Sequence, residues 1–257
     1  MGDASAQGVS GTTTITADSP EHAVDALVQR YGYVITFEGS RVVYEGAYED
    51  MPAHLRRDVP GQPGAAAPRV RISKAVPVKL TVPSSATISS QQMSDVLQRL
   101  LNQTAGAGSA HYRVVQNGDV FDVIPTEVKD RDGNWAAAAS IFDARITIPQ
   151  KERSAHEMLA EIFTAVGKAA HVQMSLFSAP VTMLYDFRAV TGSNDEIARV
   201  VLARTLSGMA KRLTWRAFYG IQSDRYFIVI SVVPNRTVTS TSKPQAVQYL
   251  KPAINAH

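Results

Sequence analysis

Between Ser19 and Phe37 the chain reads SPEHAVDALVQRYGYVITF. Its apolar positions Ala23, Val24, Leu27, Val28 and Tyr31 fall at i, i+1, i+4, i+5 and i+8. On a helix that spacing draws a single apolar stripe. Ser19 is placed to accept a first-turn N–H. Pro20 opens a helix without needing the N–H it lacks, and Gly32 stands where the chain must turn away. Tyr33–Phe37, YVITF, is aromatic and β-branched and predicts a strand.

The same plan recurs 135 residues downstream. Ser154 falls on Ser19, and Gly167 on Gly32. Met158, Leu159, Ile162, Phe163 and Val166 fall on the five stripe positions. This reading ends the second helix at Gly167 and opens a strand at His171, in HVQMSLF. Further on, VLQRLLNQT (Val96–Thr104) lies over VLARTLSGM (Val201–Met209). HYRVV (His111–Val115) lies over TWRAF (Thr214–Phe218), and VFDVI (Val120–Ile124) over YFIVI (Tyr226–Ile230). The last two pairs predict hairpins, and Asn117-Gly118 is a favoured two-residue turn for the first. Opening strands are expected at Thr12–Thr16 and Ala144–Ile148, and middle strands at Val76–Val82 and Val181–Phe187.

The expected fold is therefore α+β: two tandem βαββαββ-type modules, each with two helices packed on a small mixed sheet. The boundaries are a disordered remnant at 1–11, a first module at 12–128, a linker at 129–143, a second module at 144–233 and a polar tail at 234–257. The offset between copies falls from 135 to about 105, so the first module carries roughly 30 extra residues, an insertion at about 40–74. Its Pro, Gly and Ala content predicts an extended excursion with little core of its own.

Two series of phrases carry a family likeness. ITADSPEHAVDALVQRYGYVITFEG, VPVKLTV, SSQQMSDVLQRLLNQT, HYRVV and VFDVI form the first. ITIPQKERSAHEMLAEIFTAVGKAAHVQM, VTMLYDF, EIARVVLARTL, LTWRAF and YFIVI form the second. Each resembles the short N-terminal domain of secretins and TonB-dependent receptors (STN). The resemblance implies a periplasmic, non-catalytic module that contacts envelope machinery. The chain departs from that family in its tandem copies, in the long insertion and in having no barrel or plug segment.

Composition changes the picture little. An apolar content of 45% suffices for packed cores. The absence of cysteine excludes disulfides, thiolate metal sites and cysteine nucleophiles. No apolar run approaches the ~18–20 residues of a membrane span. Met1-Gly2 reads as a cloning remnant, and Ala4–Gln7 resembles the small-residue tail of a removed secretion signal, which fits a periplasmic or secreted location.

Charge is uneven. The net value is +3, yet Arg199–His257 holds nine Lys/Arg and one acid, Asp224. Within it, KRLTWRAFYG interleaves Lys211, Arg212 and Arg216 with aromatics, a pattern that suits single-stranded nucleic acid. The repeat places Tyr112 opposite Trp215, which favours an inward strand with its cations outside. YEGAYEDM gathers Tyr44, Glu45, Tyr48, Glu49 and Asp50, residue types common in contact surfaces. These eight residues are the interaction candidates. DRDGN (Asp130–Asn134) reads as a turn, since Ile141 stands where a calcium loop needs Glu. The six histidines show no ligand spacing, and no nucleophile elbow or phosphate loop occurs. No catalytic residue, metal ligand or cofactor is expected. The function expected is a non-catalytic interaction or scaffold protein with a protein partner in the bacterial cell envelope, contacting it through sheet edges and the insertion. The alternatives are a ligand or enzyme site in the cleft between modules, and an anion or nucleic-acid binder using the basic module.

Overall fold

A computed structural model describes residues 11–42, 44–50, 71–105, 108–221 and 223–235. The expected remnant up to residue 10, the middle of the insertion at 51–70 and the tail from 236 lie outside the described residues.

The first half runs β1 (Thr12–Ala17), α1 (Pro20–Tyr31), β2 (Val34–Glu38), β3 (Tyr48–Asp50), β4 (Arg71–Ser73), β5 (Val78–Pro83), α2 (Ser90–Ala105), β6 (Ala110–Asn117) and β7 (Val120–Lys129). The ends of α1 are fixed as the sequence predicts. Ser19 Oγ accepts the His22 N–H at 3.2 Å, and Gly32, at φ +63°, closes the helix by donating to Val28 O at 2.9 Å. A helix of 12 residues is marginal in water by itself. What holds it is its stripe: all five predicted positions are buried, each worth ~1.5–3 kcal/mol for a large side chain. They meet Met93, Leu97 and Leu100 of α2 and the inward residues of β2, β5 and β7.

The second half runs β8 (Trp135–Ala137), β9 (Arg145–Ser154), α3 (Ala155–Ala170), β10 (Gln173–Ser178), α4 (Val181–Asp186), β11 (Arg188–Ile197), α5 (Ala198–Ser207), β12 (Leu213–Gly220) and β13 (Arg225–Val232). Ser154 caps α3 in a reciprocal box with Glu157. Three expectations are corrected. First, α3 does not end at Gly167. It continues one turn to Ala170, and His171, at φ +52°, takes the left-handed turn that Gly32 makes in the first half. Gly167 is a glycine for another reason: a Cβ there would lie 2.7 Å from Val172 O, where the chain folds back. Second, Val181–Phe187 is not the middle strand. Val181–Asp186 is a short helix, from which Met183 and Leu184, with Phe187 just after it, pack on the core, and the strand is β11. A short apolar run is ambiguous between the two periods. Third, matching VFDVI to YFIVI is one residue out. Val114 pairs with Val123 and Ala217 with Ile228, so Phe121 takes the place of Tyr226.

The fold is α+β, with one pairing pattern present in both halves. β1 pairs antiparallel with β5, as β9 does with β11. β2 pairs in parallel with β7, as β10 does with β13. The hairpin β6–β7 corresponds to β12–β13. β12 also pairs in parallel with β2, giving a continuous order β10-β13-β12-β2-β7-β6, with β8 on the far end of β7. Paired residues share a face of a sheet. Phe37, in the first core, is paired with Arg216, which reaches Asp25 on α1. Glu38 is paired with Ala217 of the second core and reaches Arg199 on α5. Helices α1 and α2 therefore cover one face of the shared sheet, and α3 and α5 the other.

Candidate functional site

The polar chemistry of the interior gathers where the halves meet. Glu38, at the end of β2, is 1% exposed. Its carboxylate accepts from the Ser140 hydroxyl and the Ile141 N–H, both at 2.7 Å, and from the Arg199 guanidinium. Arg199 also donates to Ser140 Oγ at 2.7 Å and lies 3.7 Å from Asp122 and 3.4 Å from Asp143. Asp122 accepts from the Thr36 hydroxyl at 2.5 Å. Burial pushes the Glu38 carboxyl up against the pull of Arg199, and pushes Asp25 up against the pull of Arg216. Both carboxylate oxygens of Glu38 are engaged from within the chain, so the cluster locks strand, linker and helix together; Arg199 Nη1 is left buried without a hydrogen bond among the described residues.

The surface is different. β10 pairs with β13 on one side, and among the described residues nothing pairs with its other edge. Alongside runs an open groove of about 580 Å³ between α3 and β10, lined by Ala160, Thr164, Lys168, Gln173 and Leu176 among others. Phe177, 73% exposed, stands at a bulge of β10 with its ring edge-on to Phe227. At the opposite end of the sheet β6 pairs with β7 alone among the described residues. Of the eight large apolar residues exposed among the described ones, seven lie between Phe177 and Val232.

The interaction candidates divide between these settings. Tyr44 is half-buried over Gly133, with the Lys129 ammonium 5.5 Å from its ring. Tyr48 donates to Val42 O at 2.8 Å, and burial pushes its phenol up to about 12. Glu45 pairs with Arg71. Glu49 and Asp50 are exposed on β3, and Lys211 is exposed ahead of β12. Arg212 and Arg216 turn inward to the first half: Arg212 donates to Gly32 O at 2.6 Å, and Arg216 pairs with Asp25. Leu213, Trp215 and Ala217 are buried, as the strand reading requires.

The remaining motifs are structural. Asp130 Oδ1 accepts the N–H groups of Asp132 and Asn134, both at 2.9 Å, and Gly133 sits at φ +87°, so DRDGN is a turn. His111 stacks on Trp135 at 3.8 Å, and His156 on Tyr185 at 4.4 Å. Among the described residues no three His, Asp or Glu side chains stand together to hold a metal, and no helix is long and apolar enough to cross a membrane. Sequence reasoning missed Glu38, Arg199 and Phe177. Glu38 ends a strand-like phrase and Arg199 opens a helix, so local pattern makes both exposed; only the pairing of β12 with β2 buries them.

No family model matches this chain, and neither does any curated protein or solved structure.

Proposed function

We propose that this is a non-catalytic interaction or scaffold protein that works through its sheet edges, with the segment around Tyr48–Asp50 as an accessory surface. The observation that carries the reading is a shared sheet whose end strands, β10 and β6, each leave one edge unpaired among the described residues. An unpaired edge is a template for strand addition, in which main-chain hydrogen bonds give affinity and flanking pockets give selectivity. The α3–β10 groove supplies such a flank. A ligand cleft between the halves is disfavoured by what occupies the junction: paired strands and the filled Glu38–Arg199 cluster. The likeness of both series of phrases to the STN domain supports a place in the bacterial envelope, with an envelope protein as partner.

Photo-crosslinking in the source organism tests the reading. A photoreactive residue at Gln173 or Phe177 on β10, or at Gln116 on β6, is expected to give discrete adducts with envelope proteins or with the chain itself. The same probe at exposed Gln98 of α2 should give none. Adducts from Gln98 alone, or none from either edge, would refute it. Cell fractionation in parallel would reject the envelope assignment if the protein stays in the cytoplasm.

A further inference from the structure

The junction inside the molecule is a template for contacts outside it. There β12 lies against β2 and α1. Gly39 N–H donates to Ala217 O at 2.8 Å, the Thr214 hydroxyl to Ile35 O at 2.5 Å, Arg212 to Gly32 O at 2.6 Å, and Arg216 pairs with Asp25. In the recurring order of elements, β6 corresponds to β12, and β10 with α3 corresponds to β2 with α1. Both surfaces that meet at the junction thus exist a second time, at opposite ends of the sheet. Counting from the left-handed turns at Gly32 and His171, Asp25 matches Thr164, which lines the groove, and Glu38 matches Phe177, the extra residue of the β10 bulge, after which Ser178 resumes the pairing. The junction buries Glu38, whereas Phe177 is exposed. From the paired registers of the two hairpins, Arg216 matches Arg113 on β6.

We infer that the protein assembles head to tail, β6 of one copy adding in parallel to β10 of the next and lying along its α3–β10 groove as β12 lies along β2. The contact is heterologous: two unlike surfaces meet, and each pair of copies keeps one of each open. Repetition gives a ring if the rotation closes and a filament if it does not. Helical layers alternate faces across the internal junction, and the same step repeated carries that alternation along a growing sheet. Phe177 is then covered as Glu38 is covered within the chain. Three side-chain anchors of the template are missing. Thr164 replaces the carboxylate of Asp25, while Arg113 stands exposed with no acidic partner among the described residues; in the same register Ser109 stands for Arg212 and His111 for Thr214, and Ser178 and Ala179 carry the Cβ that Gly39 lacks. The contact between copies is accordingly the weaker of the two, and it forms and dissolves with concentration. The inference rests on reading the sheet edges as docking surfaces.

The chain has no cysteine, so Arg113→Cys and Thr164→Cys provide clean probes. A short thiol-to-thiol crosslinker should join an R113C copy to a T164C copy as a dimer. It should join neither variant to itself, and it should turn the double variant into a ladder. In sedimentation velocity the mass should rise with concentration. Thr164→Asp should lower the apparent dissociation constant about tenfold by giving Arg113 its carboxylate, and adding Arg113→Glu should cancel the gain. Both positions are exposed, and circular dichroism checks that the variants fold. Crosslinks of R113C to R113C would mean an isologous contact and overturn the proposal. So would a monomer at every concentration for both the unaltered chain and T164D. If β10 then still photo-crosslinks to another protein, only the self-assembly falls; if it does not, the edge-docking reading falls with it.

Discussion

Glu38 and Phe177 stand at the same count, each six residues past a left-handed turn that closes a helix, Phe177 in the bulge of β10. Their fates are opposite. The carboxylate is 1% exposed and the phenyl ring 73% exposed, against the usual preference of both residue types. The cause lies outside the two strands. β2 has β12 along its outer edge and α5 behind it, whereas β10 has neither on that side. Every residue from Ile35 to Glu38 is buried, and none of β10 is. Burial here is a property of a strand's place in the sheet order, so the two edges can be told apart by substitution.

The largest effect is expected at the covered edge. Arg199→Ala leaves Glu38 buried with two neutral donors, and breaking a buried pair from one side costs ~3–5 kcal/mol. Urea unfolding should show a loss of that order, and replacing Glu38 and Arg199 together by Leu should cost less than either single truncation. A loss below about 1 kcal/mol for R199A would mean that the cluster does not hold the junction. Burial raises the Glu38 carboxyl above its ordinary 4.5, so the folded chain binds that proton more readily than the unfolded chain does. The stability difference between the unaltered chain and Glu38→Gln should therefore be most favourable below pH 4.5 and should shrink as pH rises through the raised value.

Backbone fit comes next. A Cβ at Gly39 would lie 2.7 Å from Ala217 O, the atom that accepts the Gly39 N–H. Gly39→Ala must push β12 from β2, at ~1–3 kcal/mol. Chemical denaturation measures it, and a neutral result would show that β12 yields without loss.

The α+β class and most elements were legible because they depend on local signals. A capped apolar stripe gives a helix, and Asn117-Gly118 gives a hairpin, with Gly118 at φ +61°. What escaped depends on how the chain folds back on itself, close by or far along the sequence. Gly167 and Gly32 match in the alignment, yet only Gly32 turns the chain, because Gly167 is shaped by the returning Val172. Met183, Leu184 and Phe187 fit a strand as written and a helix as packed. Arg212 and Arg216 stand in a basic run whose charge suggests an outside partner, but their partners belong to the first half. Of the candidate surface, the insertion's described residues carry a local signal in their tyrosines and acids; open sheet edges are expected from the sequence, but not which strand holds one, because Phe177 carries no local mark of exposure.

A smaller effect is expected at Tyr48. Its ring packs back on the body, and its hydroxyl donates to Val42 O. Folding raises its pKa from 10 to about 12, chiefly by burial. The stability tied to that neutral phenol is whole below pH 10 and is lost as pH climbs through about 12. Ultraviolet titration of the unaltered chain against Tyr48→Phe should show one phenol missing near pH 12, and Tyr48→Phe should cost ~1 kcal/mol for the hydrogen bond. A phenol that titrates near 10 would mean that Tyr48 stands free, available as the contact residue the sequence suggested.

The smallest effect on stability, and the sharpest contrast with Arg199, belongs to Phe177. Its ring touches Phe227 and is otherwise exposed, so Phe177→Ser should change unfolding by no more than ~0.5 kcal/mol. What it should change is association. Removing an exposed aromatic at an open edge takes away apolar surface that only a docked strand would cover, so concentration-dependent mass and edge crosslinks should both fall while the melting temperature holds. If F177S instead loses several kcal/mol, the open edge is part of the fold, and the distinction between the two edges disappears.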